Sequence, residues 1–289
     1  MGNSLRYLQE GEAVTLTGYD SFNITETLEC GQCFRFEKIN ENEYHIIAFS
    51  KSLFVRQTED KTIFYKTSIH EFEELWIPYF DLNNDYLCIK ETLASNDLVM
   101  RDAVEFSPGI RILRQEPWEC LISFIISQNN NIPRIRKIID TLSRAYGKPI
   151  GEGIFAFPTP EELGRASVED LYNYKTGFRA KYLYDAATKI RSGALDLNSV
   201  HQMDLAEARE LLMSIKGVGR KIADCVLLFA YARAEVFPTD VWIKRVVQHF
   251  YFNKQDTSVV QIHKLAESRF GSHAGFAQQY LFVYARNFL

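Results

Sequence analysis

The chain of 289 residues is 46% hydrophobic and 24% charged, the composition of a globular protein with room for one large or two ordinary domains. No apolar run approaches the ~18 residues needed to cross a bilayer, and the first residues contain no apolar segment typical of a secretory signal, so we expect a cytoplasmic protein. The net charge of −4 combines −10 over residues 1–110 with +6 over residues 111–289, and the basic part is the one expected to face an anionic partner such as nucleic acid.

Short β-rich segments follow one another through the first 80 residues. They are rich in β-branched and aromatic residues, and polar turns separate them. An antiparallel sheet is the simplest assembly of such strands, and the polar segment Asp81–Asp85 ends the pattern. The predicted strands are Val14–Gly18, Tyr44–Ser50, Ser52–Arg56 and Thr62–Lys66.

Helix signals dominate from about residue 87 onward. Pro117 and Pro133 each stand at a helix start and are followed by apolar residues at helical spacing, and Gly147 ends the second of these helices. Thr159 and Ser167 are each followed three residues later by an acidic residue, which is typical of capping boxes and predicts two more helix starts.

The fold class that these segments predict is α+β, with an N-terminal antiparallel sheet domain over residues 1–107 and a mainly helical domain over residues 108–289. Within the helical domain, residues 204–232 are predicted to form two helices joined by a hairpin that contains Gly217 and Gly219. Glycine permits a sharp reversal and lets an anion approach the N–H groups at the start of the next helix. We therefore expect a phosphate-binding hairpin, whereas the plainer interpretation is an ordinary connection between two helices.

Two charged residues flank the second helix of this hairpin. Lys221 lies in its first turn, and Asp240 follows 19 residues later, where a further helix begins. A neutral lysine amine can form a Schiff base, and a rigid carboxylate can stabilise positive charge on a sugar. Taken singly, Lys221 is equally a surface charge, Asp240 a helix cap, and Cys225, one turn after Lys221, a core residue.

These residues carry a resemblance to a known family. Ile215–Cys225 together with Phe237–Asp240 resembles the helix-hairpin-helix DNA glycosylases, which have a Gly/Pro-rich loop and a catalytic Asp. Further segments, in the same order along the chain, are similar to those of the 8-oxoguanine DNA glycosylase/lyases, whose N-terminal domain is a TATA-binding-protein-like sheet. These segments are Gly31–Phe36, Ser123–Arg134, Gly177–Lys181 and Ala274–Phe282. The resemblance predicts an enzyme of base-excision repair that acts on double-stranded DNA.

The resemblance implies a role for each matching residue. Lys221 would attack C1′ of the damaged nucleoside, release the base and nick the strand by β-elimination through a Schiff base, while Asp240 would support the oxocarbenium charge. The base would first leave the stack for a pocket, where the Gly31 carbonyl would accept a hydrogen bond from the N7–H that 8-oxoguanine has and guanine lacks. The other pocket residues would be Phe282 and Cys225 on the two faces of the base, Gln278 on its Watson–Crick edge, and Trp242 near the nucleotide.

The resemblance also implies a set of DNA contacts. Phe178 and Trp242 stand where the animal enzymes have a tyrosine and a histidine, so a strict demand for cytosine opposite the lesion is not expected. The implied contact residues are Gly217 and Gly219 at a phosphate, and Asn129, Arg134, Phe178 and Arg179 around the cytosine left opposite the lesion.

The resemblance implies an enzyme that requires no cofactor. The backbone carbonyls of Met213, Ile215 and Val218 would hold a structural cation that bridges to a phosphate. No cysteine follows Cys225, so we expect no iron–sulfur cluster of the endonuclease III kind. Cys30 and Cys33 have a C-x-x-C spacing, but no second pair follows to complete a zinc site.

Two other functions remain open at the level of the sequence. A monofunctional glycosylase for another damaged base would generally lack a lysine at the position of Lys221. A non-catalytic DNA-binding protein would use the hairpin as a phosphate clamp and would need neither Asp240 nor a base pocket. The favoured prediction is a monomeric, bifunctional glycosylase and abasic-site lyase that acts in the cytoplasm of a prokaryote and binds no membrane.

Overall fold

The computed structural model describes residues 5–19 and 21–288 and begins with an antiparallel sheet of six strands. The strands are β1 (Arg6–Glu10), β2 (Ala13–Thr17), β3 (Phe36–Asn40), β4 (Glu43–Ala48), β5 (Lys51–Gln57) and β6 (Lys61–Tyr65). They are arranged in the order β1-β2-β6-β5-β4-β3, and every neighbouring pair is antiparallel. Alternation fixes which face is buried, as in β4, where Tyr44, Ile46 and Ala48 point into the core.

The four predicted strands are confirmed as β2, β4, β5 and β6. The prediction of strands alone over the first 80 residues is wrong at two places, because α1 (Ile24–Glu29) and a helical segment over residues 69–79 lie among them. That segment consists of α2 (Ile69–Glu71), a π-helical turn (Phe72–Trp76) and α3 (Ile77–Tyr79). Its aromatic side chains pack under the sheet, with the Phe64 and Phe72 ring centroids 4.8 Å apart. Burial of these rings therefore outweighs the weak local helix propensity of aromatic residues.

The remainder of the chain is helical apart from a short hairpin of β7 (Pro149–Gly151) and β8 (Ile154–Phe155). The long helices are α4 (Tyr86–Ala94), α5 (Leu98–Phe106), α6 (Pro117–Ser127), α7 (Ile132–Tyr146), α10 (Ala180–Arg191), α11 (Leu205–Met213), α12 (Arg220–Tyr231), α13 (Val241–Tyr251), α14 (Val259–Phe270) and α15 (Ala274–Phe288), with the short α8 (Pro160–Leu163) and α9 (Val168–Leu171) between α7 and α10. Short π and 3-10 turns cover Tyr172–Thr176, Gly177–Arg179, Leu197–Gln202 and Gly271–His273. None of the helices described is both long and apolar enough to cross a membrane.

The helix starts predicted from the sequence are confirmed. Pro117 is the first residue of α6, and Pro133 the second residue of α7, which ends at Gly147 as its C-cap. Thr159 and Ser167 form complete capping boxes, in which the side chain of each accepts a hydrogen bond from the N–H three residues later, and the carboxylate of that later residue accepts one from the N–H of the cap.

Two hydrophobic cores form, one under the sheet and one among the helices. The helices α4 and α5 precede residue 107, yet Ile89 of α4 and Met100 of α5 belong to the helical core, and α5 packs against α15. The domain limits of 1–107 and 108–289 therefore stay a prediction. The two cores meet where the loop after α1 contacts the segment that precedes α6.

Candidate active site

The predicted hairpin is formed by α11 and α12. Asp204 caps α11 by accepting a hydrogen bond from the N–H of Glu207, whose carboxylate accepts one from the N–H of Asp204. Gly217 has a φ of +77°, and a Cβ at this position would lie 2.3 Å from the Tyr182 ring. The turn therefore needs glycine at residue 217 for its backbone conformation and for its packing on α10.

Gly219 differs from Gly217 in its backbone. The sharp reversal uses a positive φ at Gly217 only, because the φ of Gly219 is −95°, a value that other residues also adopt. Apart from its chain neighbours, no described atom lies within 4 Å of where its Cβ would be, and no side chain caps the first turn of α12. The start of α12 thus offers uncapped N–H groups beside open space, which suits a phosphate oxygen.

Lys221 lies half-buried in the first turn of α12. Its Nζ is 5.4 Å from the centroid of the Phe124 ring on α6, and Cys225 is buried one turn further along α12. Burial raises the pKa of the Cys225 thiol to about 11, while the charge of Lys221 lowers it and that of Asp240 raises it. Burial therefore keeps this thiol protonated at neutral pH, one helical turn from Lys221.

Asp240 is the N-cap of α13. Its Oδ1 accepts a hydrogen bond of 2.8 Å from the N–H of Ile243. The loop before it is held by the Thr239 hydroxyl, which donates to the Phe237 carbonyl at 3.0 Å and lies 3.1 Å from Nε2 of His263. The cap therefore holds the carboxylate in place, and its second oxygen accepts no hydrogen bond from the described residues.

Pocket residues predicted near the two ends of the chain meet in the structure. Gly31 has a φ of +86°, and a Cβ built on it would lie 3.3 Å from Cε1 of Phe282 on α15. Gln278, one turn earlier on α15, is buried, and its Oε1 accepts no hydrogen bond within the described part of the chain. A buried acceptor without a partner costs roughly 1–3 kcal/mol, so this oxygen is suited to a donor on a ligand.

The residues predicted around the opposite cytosine lie on two neighbouring turns. Arg179 is buried, and its guanidinium donates to backbone carbonyls of both turns, including that of Asn129 at 2.9 Å. Phe178 is exposed, with its ring centroid 4.4 Å from that guanidinium carbon. Asn129 and Arg134 are exposed beside it, the latter with Nη2 3.4 Å from the Lys175 carbonyl. Arg179 thus builds this surface, on which the other three are accessible.

Trp242 and the hairpin carbonyls lie next to α12. Trp242 is exposed in the first turn of α13, with the Arg245 guanidinium carbon 5.5 Å from its ring centroid. Among the described residues, the Ile215 carbonyl accepts a hydrogen bond of 3.0 Å from the N–H of Val218, whereas the carbonyls of Met213 and Val218 accept none. Two free carbonyls at one turn are compatible with the predicted cation. No cluster of three His, Cys, Asp or Glu side chains that could hold a metal occurs within residues 5–19 and 21–288.

Three glutamines that were not predicted as site residues hold the loop around Gly31. Gln32 is fully buried, and its amide donates to two backbone carbonyls and accepts a hydrogen bond of 2.9 Å from the N–H of Leu113. Gln115 and Gln279 donate to backbone carbonyls on either side of Gly31. Nothing in the sequence separates these amides from glutamines on the surface.

The hairpin, the lysine that follows it and the carboxylate at the next helix start define the class of protein. Residues 122–271 match the HhH-GPD superfamily of base excision DNA repair proteins, and residues 15–121 match the N-terminal domain of 8-oxoguanine DNA glycosylase. The chain belongs to this superfamily and, within it, to the 8-oxoguanine DNA glycosylase/lyases, as the sequence predicted.

Similar proteins cover most of the chain. The probable N-glycosylase/DNA lyase of Methanothermobacter thermautotrophicus is 32% identical in an alignment 246 residues long that covers 76% of each of the two chains. The structure of MBOgg1 in complex with a low affinity DNA ligand is 44% identical, with a TM-score of 0.95 over 98% of this chain and 99% of that one. The Clostridium acetobutylicum 8-oxoguanine glycosylase/lyase, in complex with double-stranded DNA that contains cytosine opposite 8-oxoguanine, is 37% identical, with a TM-score of 0.93 over 99% of both chains.

Proposed function

We propose that this protein excises 8-oxoguanine from duplex DNA and then nicks the strand at the resulting abasic site. The observation that carries the proposal is the position of Lys221 in the first turn of α12, one turn before the buried Cys225, in a chain that also buries an unpartnered amide oxygen at Gln278. A phosphate clamp without catalytic activity would need neither the amine nor the pocket.

The chemistry proceeds from the Lys221 amine. Its Nζ forms a bond to C1′ of the flipped nucleotide as the bond from C1′ to the base breaks, and the electron pair leaves with the base. Opening of the sugar ring gives a Schiff base between Nζ and C1′. Loss of a proton from C2′ then expels the 3′ phosphate by β-elimination, and water releases the lysine. The Asp240 carboxylate stabilises the positive charge that develops on the sugar.

Recognition of the damaged base is assigned to the pocket. The Gly31 carbonyl accepts a hydrogen bond from N7–H of 8-oxoguanine, and it would face a lone pair on guanine, which leaves a buried acceptor unpaired at a cost of roughly 1–3 kcal/mol. The unpartnered Oε1 of Gln278 suits the N–H donors of the Watson–Crick edge. Phe282 and Cys225 cover the two faces of the base.

Binding of duplex DNA is assigned to the hairpin and to the exposed surface around Phe178. The uncapped start of α12 at Gly219 contacts a phosphate, and the free carbonyls of Met213 and Val218 fit a cation that would bridge to the same phosphate. Phe178 lies beside the orphan base without the hydroxyl that a tyrosine would supply, so the proposal includes no strict requirement for cytosine opposite the lesion.

The setting proposed for this reaction is the nucleoid in the cytoplasm of a prokaryote, with the protein acting as a monomer. Duplex DNA as the substrate and the archaeal and clostridial relatives support this setting.

The test is borohydride trapping on a duplex that contains a single 8-oxoguanine opposite cytosine. The parent protein should release the base, nick the strand and form a covalent adduct, because borohydride reduces the Schiff base. Lys221→Gln should lose the adduct and the nick. Lys61→Gln, an exposed lysine on β6, is the matched control and should behave as the parent does.

The other outcomes separate the alternatives. Release of the base by the parent without any adduct would assign the protein to the monofunctional glycosylases. Binding of the duplex without base release would leave only the phosphate clamp. An adduct that persists in Lys221→Gln would move the nucleophile to another residue.

A further inference from the structure

Two consecutive anchors flank the Gly31 carbonyl. Nε2 of Gln279 donates a hydrogen bond of 3.1 Å to the Cys30 carbonyl, and Nε2 of Gln115 donates one of 2.7 Å to the Gln32 carbonyl. Gln279 is buried on α15, so its contact with Cys30 is shielded from water. The peptide groups before and after the one that contains the Gly31 carbonyl are thereby held by side chains from two different parts of the helical domain.

The carbonyl between the anchors is free. No described residue donates a hydrogen bond to the Gly31 carbonyl. With the neighbouring peptide groups held and the φ of Gly31 at +86°, the two anchors restrict the orientation of this carbonyl. A recognition group must be held in place before the ligand arrives, since a carbonyl that turns away from guanine would lose discrimination.

We propose that Gln279 is a specificity-determining positioning residue, which aims the Gly31 carbonyl at the base by anchoring the Cys30 carbonyl. It does not touch the reacting atoms. The inference rests on the proposed function, because it assigns Gln279 to the base pocket of that reaction. Gln279 follows Gln278 directly on α15, so one helix would both read the Watson–Crick edge and hold the loop that reads N7.

The test compares two substrates of the same enzyme. Gln279→Met keeps the length of the side chain and removes both N–H donors. We expect excision of 8-oxoguanine under single-turnover conditions to fall about five- to tenfold, as loss of one buried hydrogen bond predicts, whereas cleavage at a preformed abasic site stays within about twofold of the parent. In a Lys221→Gln background, Gln279→Met should also reduce the preference for binding a duplex with 8-oxoguanine over one with guanine.

A matched control lies next to Gln279. Tyr280 is buried on α15, and its hydroxyl has no hydrogen-bond partner within the described chain, so Tyr280→Phe should leave both activities within about twofold. Gln115→Met removes the other anchor and should repeat the selective loss if Gln279→Met does not fold.

Three results would count against the proposal. Unchanged excision in both glutamine variants would overturn it, and an equal fall in excision and abasic-site cleavage would show a structural role only. If the parent cleaves abasic sites but releases no 8-oxoguanine, the proposed function is the part that fails, and the inference fails with it.

Discussion

The catalytic hairpin and the base pocket are built in opposite ways. Lys221 and Asp240 are 19 residues apart, and each is placed by its own backbone, one in the first turn of a helix and the other as an N-cap. Gly31 and Phe282 come from opposite ends of the chain, and the contact between Gln279 and Cys30 spans 249 residues. If the proposed roles hold, the bond-breaking chemistry depends on local structure, whereas recognition of the base depends on the packing of two distant parts of the chain.

This difference implies that the two functions can be separated. Cleavage at an abasic site needs the hairpin, the lysine and a contact with DNA, but no base in the pocket. Release of 8-oxoguanine needs both regions. Comparing the two reactions in one variant therefore reports which region the substitution has damaged.

The largest effect in the local region is expected for Asp240→Asn. An asparagine Oδ1 can still accept the hydrogen bond from the N–H of Ile243, so α13 keeps its cap, but the negative charge is lost. Excision of 8-oxoguanine should fall by about 10²–10³, the usual cost of removing one electrostatic stabiliser of a transition state. Single-turnover kinetics measure the loss.

A matched substitution at another helix N-cap separates the effect of losing the charge at Asp240 from the effect of altering a cap. Asp204→Asn alters the N-cap of α11, where the aspartate also accepts hydrogen bonds from backbone N–H groups, and should leave excision unchanged. Thermal unfolding of both variants should stay close to that of the parent. An Asp240→Asn protein that excises the base at the parent rate would reduce Asp240 to a helix cap.

A smaller and more selective effect is expected in the pocket for Gly31→Ala. Alanine pays roughly 1–2 kcal/mol at a positive φ, and its Cβ would press on Phe282 at 3.3 Å, so the recognition carbonyl must shift. Excision should fall about tenfold or more, while abasic-site cleavage changes little. Gly153 has a φ of +68°, and no described atom lies within 4 Å of where its Cβ would be, so Gly153→Ala measures the backbone penalty alone. Equal loss of excision in both variants would remove Gly31 from recognition.

The local region could be predicted from sequence because its signals are short-range. The capping pattern of Asp204 and Glu207 and the loop ending at Asp240 are each readable within a few residues, and the structure contains the corresponding helix starts. Gly219 is the exception, because its backbone conformation does not require glycine. The missing Cβ leaves open space at the start of α12, and this could not be predicted from sequence because it depends on which residues surround Gly219 in the fold.

The remainder was not predictable, because it depends on partners far away in the chain. The edge strands β1 and β3 are largely exposed and lack a clear alternation, so they gave no signal. Arg179 is an arginine of the kind expected at a DNA contact, yet its guanidinium donates to the carbonyl of Thr176, three residues earlier, and to that of Asn129 on a distant turn. Of the glutamines around Gly31, Gln32 and Gln279 are buried by residues that lie far from them in the sequence.

The ion pair between Arg35 and Glu119 is expected to give the smallest effect on activity and a distinct pH dependence of stability. Arg35, just after the recognition loop, pairs with Glu119 of α6 at 3.4 Å and also donates to the Phe155 carbonyl. Burial raises the pKa of the Glu119 carboxyl to about 7, although Arg35 lowers it and Glu116 raises it further. This carboxyl therefore binds its proton more tightly in the folded protein than in the unfolded chain.

The sign of the stability change follows from this shift. The contribution of Glu119 is complete below its ordinary pKa of 4.5, because both states are then protonated, and it is lost as the pH rises towards 7, where the unfolded carboxyl has already ionised. Glu119→Gln should remove that slope, so the free energy of unfolding of the variant relative to the parent should rise by on the order of 2 kcal/mol between pH 5 and pH 8.

Urea unfolding across this pH range measures the rise. For the control Glu267→Gln, at an exposed site on α14, the free energy of unfolding should follow the same pH dependence as that of the parent. Because Arg35 keeps its bond to Phe155, excision at pH 8 should stay within about twofold. If the free energies of unfolding of Glu119→Gln and the parent ran parallel over this pH range, Glu119 would not titrate there.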